Sequence, residues 1–249
     1  MVIQEVQNTF YIPENIREKV MISIVQNFIC TKPKRLELIE KEVPNMGKLF
    51  RDYEFYINYN SSYNFNEVYK AYKDNIPKLH FFNKLEKNWG AITLAMIKDI
   101  KTPYILLLTE DYSYQMESSD WENIMDEVIK NDVKYMPVGR LWKYTKEEYL
   151  EGYHEGKNLW FYPASKSPGS SLSVLALYKT ELLIEKLEDL ILHKPKRFPL
   201  HLPHHFENIF HEPNGVSQWG DNVLCAIPKK IICMHTQEEL EMHEFYKNE

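Results

Sequence analysis

The chain has 249 residues, of which 44% are hydrophobic, and a formal net charge of −6. That apolar content suits one large domain or two small ones. The acidic balance argues against nucleic acid or an anionic membrane as a partner. The three cysteines are few, odd in number and far apart, which favours a reducing compartment. Neither a signal-peptide pattern nor an apolar run of the ~18 residues that a membrane span needs is present. We therefore expect a cytoplasmic protein without a transmembrane segment.

The first half of the chain alternates between strand-like and helix-like segments. Apolar, β-branched or aromatic runs predict strands at residues 20–28, 53–62, 78–82 and 104–108. Helical spacing of apolar residues predicts helices at 64–74 and 88–100. This alternation is typical of parallel βαβ units in an α/β sheet. Ligands of such sheets bind at the carboxyl ends of the strands.

The second half is more mixed. Residues 118–132 predict an amphipathic helix, with Ser119 and Glu122 as its capping box. Residues 145–171 are aromatic and predict a long surface loop, some of whose rings could stack on sugar faces. The other expected elements are a strand-like segment at 133–144, a strand at 171–178, a helix at 180–194, an irregular stretch at 195–220 and a strand at 229–235.

Two adjacent acids, Glu110 and Asp111, follow the apolar run 104–108. One interpretation is that the strand has ended and both acids are solvated. The other is that they hold a metal ion at the mouth of the sheet, because carboxylate oxygens are the ligands that hard divalent cations prefer. The residues alone leave both interpretations open.

The segment from Asn88 to Tyr112 resembles the family 2 glycosyltransferases of the GT-A fold. In that family an N-x-G near a helix start precedes an apolar strand that ends in an acidic motif. Asn88 and Gly90 match the first feature, and Thr109, Glu110 and Asp111 stand at the second. The resemblance implies an α/β, GT-A-like (Rossmann-like) fold with a mixed, mostly parallel central sheet flanked by helices. It also implies a single domain over 1–249, with a nucleotide-sugar-binding half at 20–115 and an acceptor-binding half at 116–249.

A divalent cation, Mn²⁺ or Mg²⁺, is the cofactor that the resemblance implies. It would bridge the two phosphates of a nucleotide-sugar and neutralise the departing diphosphate. We assign Asp111 to the metal and Glu110 to the sugar or the ribose. Thr109 departs from the family pattern, since it stands where the family has its first Asp. His235, at the end of the last expected strand, is a second metal candidate, because some GT-A enzymes supply a late histidine.

The nucleoside is expected to lie against polar residues at the ends of the first two strands. The family often places an acid after the second strand, where this chain has Asn58 and Asn60. An amide can also pair with a base edge, since it both donates and accepts. Gln26 and Asn27, at the end of the first strand, are candidates on the same grounds. For all four the alternative is an ordinary polar strand end or turn.

An inverting transferase needs a base that takes the proton from the acceptor hydroxyl. The two candidates are Glu207 and Asp221, and we favour Glu207 because its aromatic and histidine-rich surroundings could raise its pKa. Either acid could also be an ordinary surface group. Four nearby histidines lack the fixed spacings of zinc sites: His201, His204, His205 and His211.

The expected function is transfer of a hexosyl or deoxyhexosyl group from a UDP-, GDP- or dTDP-sugar to a carbohydrate acceptor. A sugar-phosphate nucleotidyltransferase is the first alternative, although the glycine-rich loop of that class is absent after the first strand. A carbohydrate-binding protein with a dead site is the second, and Thr109 is its main support.

Overall fold

The computed structural model describes residues 21–30, 32–85, 88–114, 116–139, 153–167, 172–192 and 216–235. The helices are α1 (Pro33–Leu49), α2 (Phe65–Asn75), α3 (Trp89–Ile97), α4 (Ser118–Lys130) and α5 (Thr180–Leu192). The strands are β1 (Ile22–Phe28), β2 (Glu54–Tyr59), β3 (Leu79–Phe82), β4 (Tyr104–Leu108), β5 (Tyr112–Tyr114), β6 (Tyr135–Pro137), β7 (His154–Glu155), β8 (Leu159–Pro163), β9 (Ala176–Lys179), β10 (Leu224–Pro228) and β11 (Cys233–His235). Short 3₁₀ turns lie at Ala164–Lys166 and Val216–Trp219.

Nine strands form one sheet in the order β3-β2-β1-β4-β9-β6-β10-β8-β7, and β11 pairs with β5 in a small second sheet. The pairings make β8 and β9 run against the other strands of the large sheet. The mixed, mostly parallel sheet expected from the sequence is therefore confirmed. We call the edge at which β1, β2 and β4 end the carboxyl edge, and the edge at which they begin the amino edge.

The sheet is covered on both faces. Leu106 and Leu108 of β4 belong to one apolar cluster with residues of α1, α2 and α4. Ile105 and Leu107 belong to a second cluster with residues of α3 and α5. Because both faces of β4 are buried, its residues are apolar throughout and do not alternate with polar ones. Such continuous apolar runs are usual for parallel strands of α/β sheets. None of the helices in the described ranges is long and apolar enough to cross a bilayer.

The expected strands β1 to β4 and helices α2 to α5 are confirmed, with ends shifted by a few residues. Helix α1 was not among the expected elements, and its sequence contains two prolines, Pro33 and Pro44. Pro33 stands at the first helical position, where its missing N–H costs nothing. Pro44 lies inside the helix and leaves the carbonyl of Glu40 without its helical donor. Glu40 is exposed, so water can serve that carbonyl.

Two expectations for the second half were wrong. Part of the predicted surface loop 145–171 is β8, which pairs with β10 inside the large sheet and buries Leu159 and Phe161. Residues 145–152 and 168–171 lie outside the described residues. The capping box is also absent: α4 begins at Ser118, so its N-cap is Glu117 rather than Ser119, and Glu117 makes no side-chain capping bond.

The packing of α4 against α1 gives a prediction about stability. Trp121 is 1% exposed and meets Phe50 edge-to-face, with 5.2 Å between the ring centroids. Trp121→Ala is expected to lower the free energy of unfolding by about 3–5 kcal/mol, measured by urea denaturation. The neighbouring exposed residue provides the control. Glu122→Ala should change stability by less than ~0.5 kcal/mol. If Glu122→Ala instead lowered the free energy of unfolding by about 1 kcal/mol, the capping box of Ser119 and Glu122 would be present after all.

Candidate functional site

The acid turn, residues 109–111, lies at the carboxyl edge directly after β4. The Thr109 hydroxyl donates to Oδ1 of Asp111 at 2.9 Å. Gln26, at the end of β1, donates from Nε2 to the backbone carbonyl of Thr109 at 3.1 Å. These two bonds fix the turn to the neighbouring strand and set the direction of the Asp111 carboxylate, which is partly exposed.

Glu110 is held by a cation of the protein itself. Its side chain is 6% exposed and forms an ion pair with Nη1 of Arg35, in the first turn of α1. The same nitrogen donates to the carbonyl of Ile29, just after β1, at 3.1 Å. Glu110 therefore joins the end of β4 to the start of α1. Its expected contact with a ribose stays a prediction, and such a contact would share the carboxylate with Arg35.

Gln26 also accepts a hydrogen bond beneath the acid turn. The hydroxyl of Tyr72, in α2, donates to its Oε1 at 2.8 Å. Burial, followed by the negative charge of Glu110, raises the pKa of Tyr72 well above its ordinary value. The hydroxyl therefore keeps its proton at neutral pH and can serve as the donor. Gln26 is buried with both ends of its amide engaged, so in this conformation it supports the turn.

Asn27 and Asn58 are opposite each other in the parallel register of β1 and β2, and both are buried. Asn58 Nδ2 donates to Oδ1 of Asn27 at 3.0 Å and to the carbonyl of Lys84 at 3.3 Å, while its Oδ1 accepts from the Lys84 amide at 2.9 Å. Asn27 Nδ2 donates to the carbonyl of Trp89 at 3.1 Å and to Oγ1 of Thr93 at 3.0 Å. The Asn58 amide thus holds the chain after β3. A base-reading role for it stays a prediction, and that role would require these bonds to exchange.

Asn60, Asn88 and Gly90 lie at the same edge. Asn60 follows β2, is partly exposed and donates its backbone N–H to Phe28 at 2.9 Å. Asn88 caps α3, because its Oδ1 accepts from the Ala91 amide at 3.1 Å. A Cβ at Gly90 would stand 2.9 Å from a methyl of Leu190 in α5. The N-x-G pattern therefore starts α3 and lets α5 pack closely on it.

His235 lies next to the acid turn in the backbone. The antiparallel register of β5 and β11 pairs it with Tyr112, the residue that follows Asp111. No group of three His, Cys, Asp or Glu side chains that could hold a metal occurs among the described residues. The donors nevertheless fit the mode in which one or two carboxylates bind Mg²⁺ and phosphates complete the shell. Asp111 is such a carboxylate, partly exposed and oriented by Thr109.

The two acids proposed as the base are not equivalent in the fold. Strand β10 runs in the same direction as β4, because it is parallel to β6, and both β6 and β4 are antiparallel to β9. Asp221 precedes β10 and so lies at the amino edge, where it accepts a hydrogen bond from Ser165. Asp111 lies at the opposite edge. The structure thus separates Asp221 from the acid turn, which is a correction to its candidacy. Glu207 lies outside the described residues.

Four further residues belong to this edge but were not expected there: Arg35, Tyr72, Trp89 and Thr93. For Arg35 a signal was present. Apolar residues from Leu36 to Met46 recur at helical spacing and indicate that Arg35 starts a helix directly after β1. For the other three, the contacts depend on how α2 and α3 pack on the sheet, which local patterns do not reveal.

No protein-family model matches the sequence, and no curated protein matches it as a relative. Structural similarity is clear. Residues 1–349 of S. aureus TarS, a GT-A-type glycosyltransferase, match with a TM-score of 0.58 and 12% identity over 88% of this chain. TarS in complex with UDP-GlcNAc matches with a TM-score of 0.53 and 10% identity over 86% of it.

This chain spans 61% and 57% of those two TarS chains. A mannosyltransferase from Pyrobaculum calidifontis, in complex with GDP-Man and Mn²⁺, matches over 74% of this chain and 50% of its own, at 13% identity. Its TM-score of 0.47 is too low to support an inference. The protein has a GT-A-like glycosyltransferase fold.

The amide pair gives a second prediction. Asn58→Ala leaves Oδ1 of Asn27 without this donor in a buried region and removes the partner of the Lys84 backbone, so it should lower the free energy of unfolding by about 1–3 kcal/mol in urea denaturation. Asn66→Ala, at an exposed position on α2, is the matched control and should stay within ~0.5 kcal/mol of the wild type. Equal stability of the two variants would contradict the structural role of Asn58.

Proposed function

We propose that the protein is a metal-dependent, inverting glycosyltransferase that moves a hexosyl or deoxyhexosyl group from a nucleotide-sugar to a carbohydrate acceptor. The observation that carries the proposal is the position of Asp111. Its carboxylate is partly exposed and oriented by Thr109, at the carboxyl edge of a GT-A-like sheet. This edge is where open α/β sheets bind their ligands. The similarity to TarS, a chain that spans more residues than this one, supports the fold on which the proposal rests.

In this proposal the residues of the carboxyl edge have different roles. Asp111 holds a Mn²⁺ or Mg²⁺ ion, and His235 is the second candidate ligand. A bound divalent cation supplies Lewis-acid stabilisation of the charge that develops on the departing diphosphate. Gln26 and Thr109 keep the Asp111 carboxylate in one orientation, through the bonds at 3.1 Å and 2.9 Å. A carboxylate that is oriented in advance loses less freedom when it binds its ligand.

The nucleoside is assigned to the ends of β1 and β2. Asn60 is the better base-pairing candidate of the two asparagines, because it is partly exposed whereas Asn58 is buried in its own hydrogen bonds. Asn27, Asn88 and Gly90 are assigned to the support of this site: Asn27 ties β1 to the start of α3, Asn88 caps that helix, and Gly90 lets α5 pack on it. The donor nucleotide is one of UDP, GDP or dTDP.

The base is assigned to Glu207. Inversion requires a carboxylate near the acceptor hydroxyl, on the face of the sugar carbon opposite the leaving diphosphate. Glu207 follows α5, whose Leu190 lies against Gly90 at the carboxyl edge. Helix α5 therefore ends near the edge at which Asp111 lies. Asp221 is left out of the proposal because it lies at the amino edge.

The metal assignment gives a third prediction. Asp111→Asn keeps the shape of the side chain and removes its charge, so it should abolish Mn²⁺-dependent binding of the nucleoside diphosphate in calorimetric titration. Asp126→Asn, which removes an exposed carboxylate from α4, should bind like the wild type. Unchanged affinity in a folded Asp111→Asn protein would contradict the metal assignment.

The assignment of Glu207 as the base gives a fourth prediction. Glu207→Gln should lower the transfer rate by about 10²–10⁴-fold, the usual contribution of general-base catalysis, while donor affinity stays nearly unchanged. The rate is measured as release of nucleoside diphosphate in the presence of an acceptor. Asp221→Asn should retain the wild-type rate, since Asp221 lies at the other edge. The reverse pattern would exchange the two roles.

The alternatives are separated by the products. A panel of UDP-, GDP- and dTDP-sugars with Mn²⁺ should yield a nucleoside diphosphate from at least one donor. Release of pyrophosphate from a nucleoside triphosphate and a sugar phosphate would instead indicate a nucleotidyltransferase. Carbohydrate binding without either product would indicate a dead site.

A further inference from the structure

The first turn of α1 has an unusual charge pattern. Its N-cap is Lys32, Lys34 and Arg35 follow in the first turn, and that turn contains no acidic residue and no side-chain cap. The N-terminus of a helix carries a partial positive charge, so acidic residues are favoured there and basic ones are unfavourable. Departures from a local rule of this kind tend to occur at functional sites. A concentration of positive charge at this point suits an anion.

The position of the turn narrows the choice of anion. It follows β1 directly, at the carboxyl edge, and the Arg35–Glu110 pair ties it to the turn that carries Asp111. Asp111 is the next residue after Glu110, so a group held at Asp111 would lie beside the turn that Arg35 contacts. In a nucleotide-sugar that group is the diphosphate.

Arg35 is built to receive a phosphate. In the described part of the chain, Arg35 bonds through Nη1 to Glu110 and to the carbonyl of Ile29, and 44% of its side chain is exposed. Glu110 is by contrast buried, with 6% of its side chain exposed. Fixing Nη1 sets the orientation of the planar guanidinium. Its N–H groups form a rigid fork that can donate two parallel hydrogen bonds to phosphate oxygens.

We propose that Arg35 contacts the diphosphate of the donor and that Glu110 is a positioning residue that holds Arg35, not a ribose ligand. The inference rests on the proposed function and adds a second cation to it. The guanidinium of Arg35 is cationic, so it can donate hydrogen bonds to the diphosphate oxygens without a metal. Diphosphate affinity then has two independent sources, Asp111 through the metal ion and Arg35 directly.

A purely structural ion pair would behave differently. It would anchor α1 to β4, and its loss would reduce stability and affect every ligand to a similar extent. A phosphate contact would be graded by the number of phosphates and would persist when divalent metal is removed. The test therefore compares ligands that share a nucleoside and differ in phosphates.

The experiment measures binding of three series by calorimetry in Mn²⁺ and in EDTA: UDP, UMP and uridine; GDP, GMP and guanosine; and dTDP, dTMP and thymidine. The proteins are the wild type, Arg35→Gln, Arg35→Lys and Glu110→Gln. Arg51→Gln is the matched control, since Arg51 is exposed and precedes β2 at the amino edge. Arg35→Gln should weaken diphosphate binding by about 10- to 100-fold in both media, the effect of losing a charged hydrogen-bond donor, and leave nucleoside binding unchanged. Arg35→Lys should recover part of the loss, and Glu110→Gln should show a smaller loss of the same kind.

The outcomes separate the two claims. A wild type that binds none of these nucleotides overturns the proposed function. A wild type that binds a diphosphate together with an Arg35→Gln protein that binds it equally well overturns the role of Arg35. A loss that is as large for the nucleoside as for the diphosphate makes the pair structural and also overturns it. If Arg35→Gln does not fold, the ratio of diphosphate to nucleoside affinity in Arg35→Lys decides, and an unchanged ratio overturns the role.

Discussion

The buried amide pair of Asn27 and Asn58 is the interaction on which the carboxyl edge depends. Two amides that are opposite each other in adjacent strands would be costly inside an apolar sheet unless their hydrogen-bonding groups were paired. Here their partners are each other, the start of α3 and the chain at Lys84. The ends of β1 and β2 and the segments that follow β3 are thereby fixed together.

The same principle extends to the acid turn. Gln26 connects β1 to Thr109, and Arg35 connects α1 to Glu110. Of the two adjacent acids, Glu110 is therefore paired with Arg35. Asp111 is partly exposed, and the Thr109 hydroxyl sets the direction of its carboxylate. A rigid edge of this kind suits a site that must hold a flexible diphosphate, because the protein has little freedom left to lose on binding.

The sequence was informative where periodicity and burial act locally. The apolar run 104–108 predicted a buried strand, and the acids after it were expected at the edge where they lie. Helix α1 was missed although its apolar residues recur at helical spacing, and the exposed position of Glu40 makes Pro44 tolerable inside it. With α1 went Arg35. Asp221 was misjudged for another reason: which edge a residue occupies depends on strand direction across the whole sheet, and β8 and β10 were not anticipated.

The central claim is that the carboxyl edge, at Asp111, is where a metal-bound nucleotide sits. Paramagnetic broadening of backbone amide signals by Mn²⁺, in the presence of whichever of UDP, GDP or dTDP the protein binds, tests it most directly. Signals from the end of β1, the first turn of α1, the acid turn and β11 should broaden first. Signals from Ser23, Thr102 and Asp221, at the amino edge, should remain sharp. Broadening centred on the amino edge, or spread evenly over the protein surface, would contradict the account.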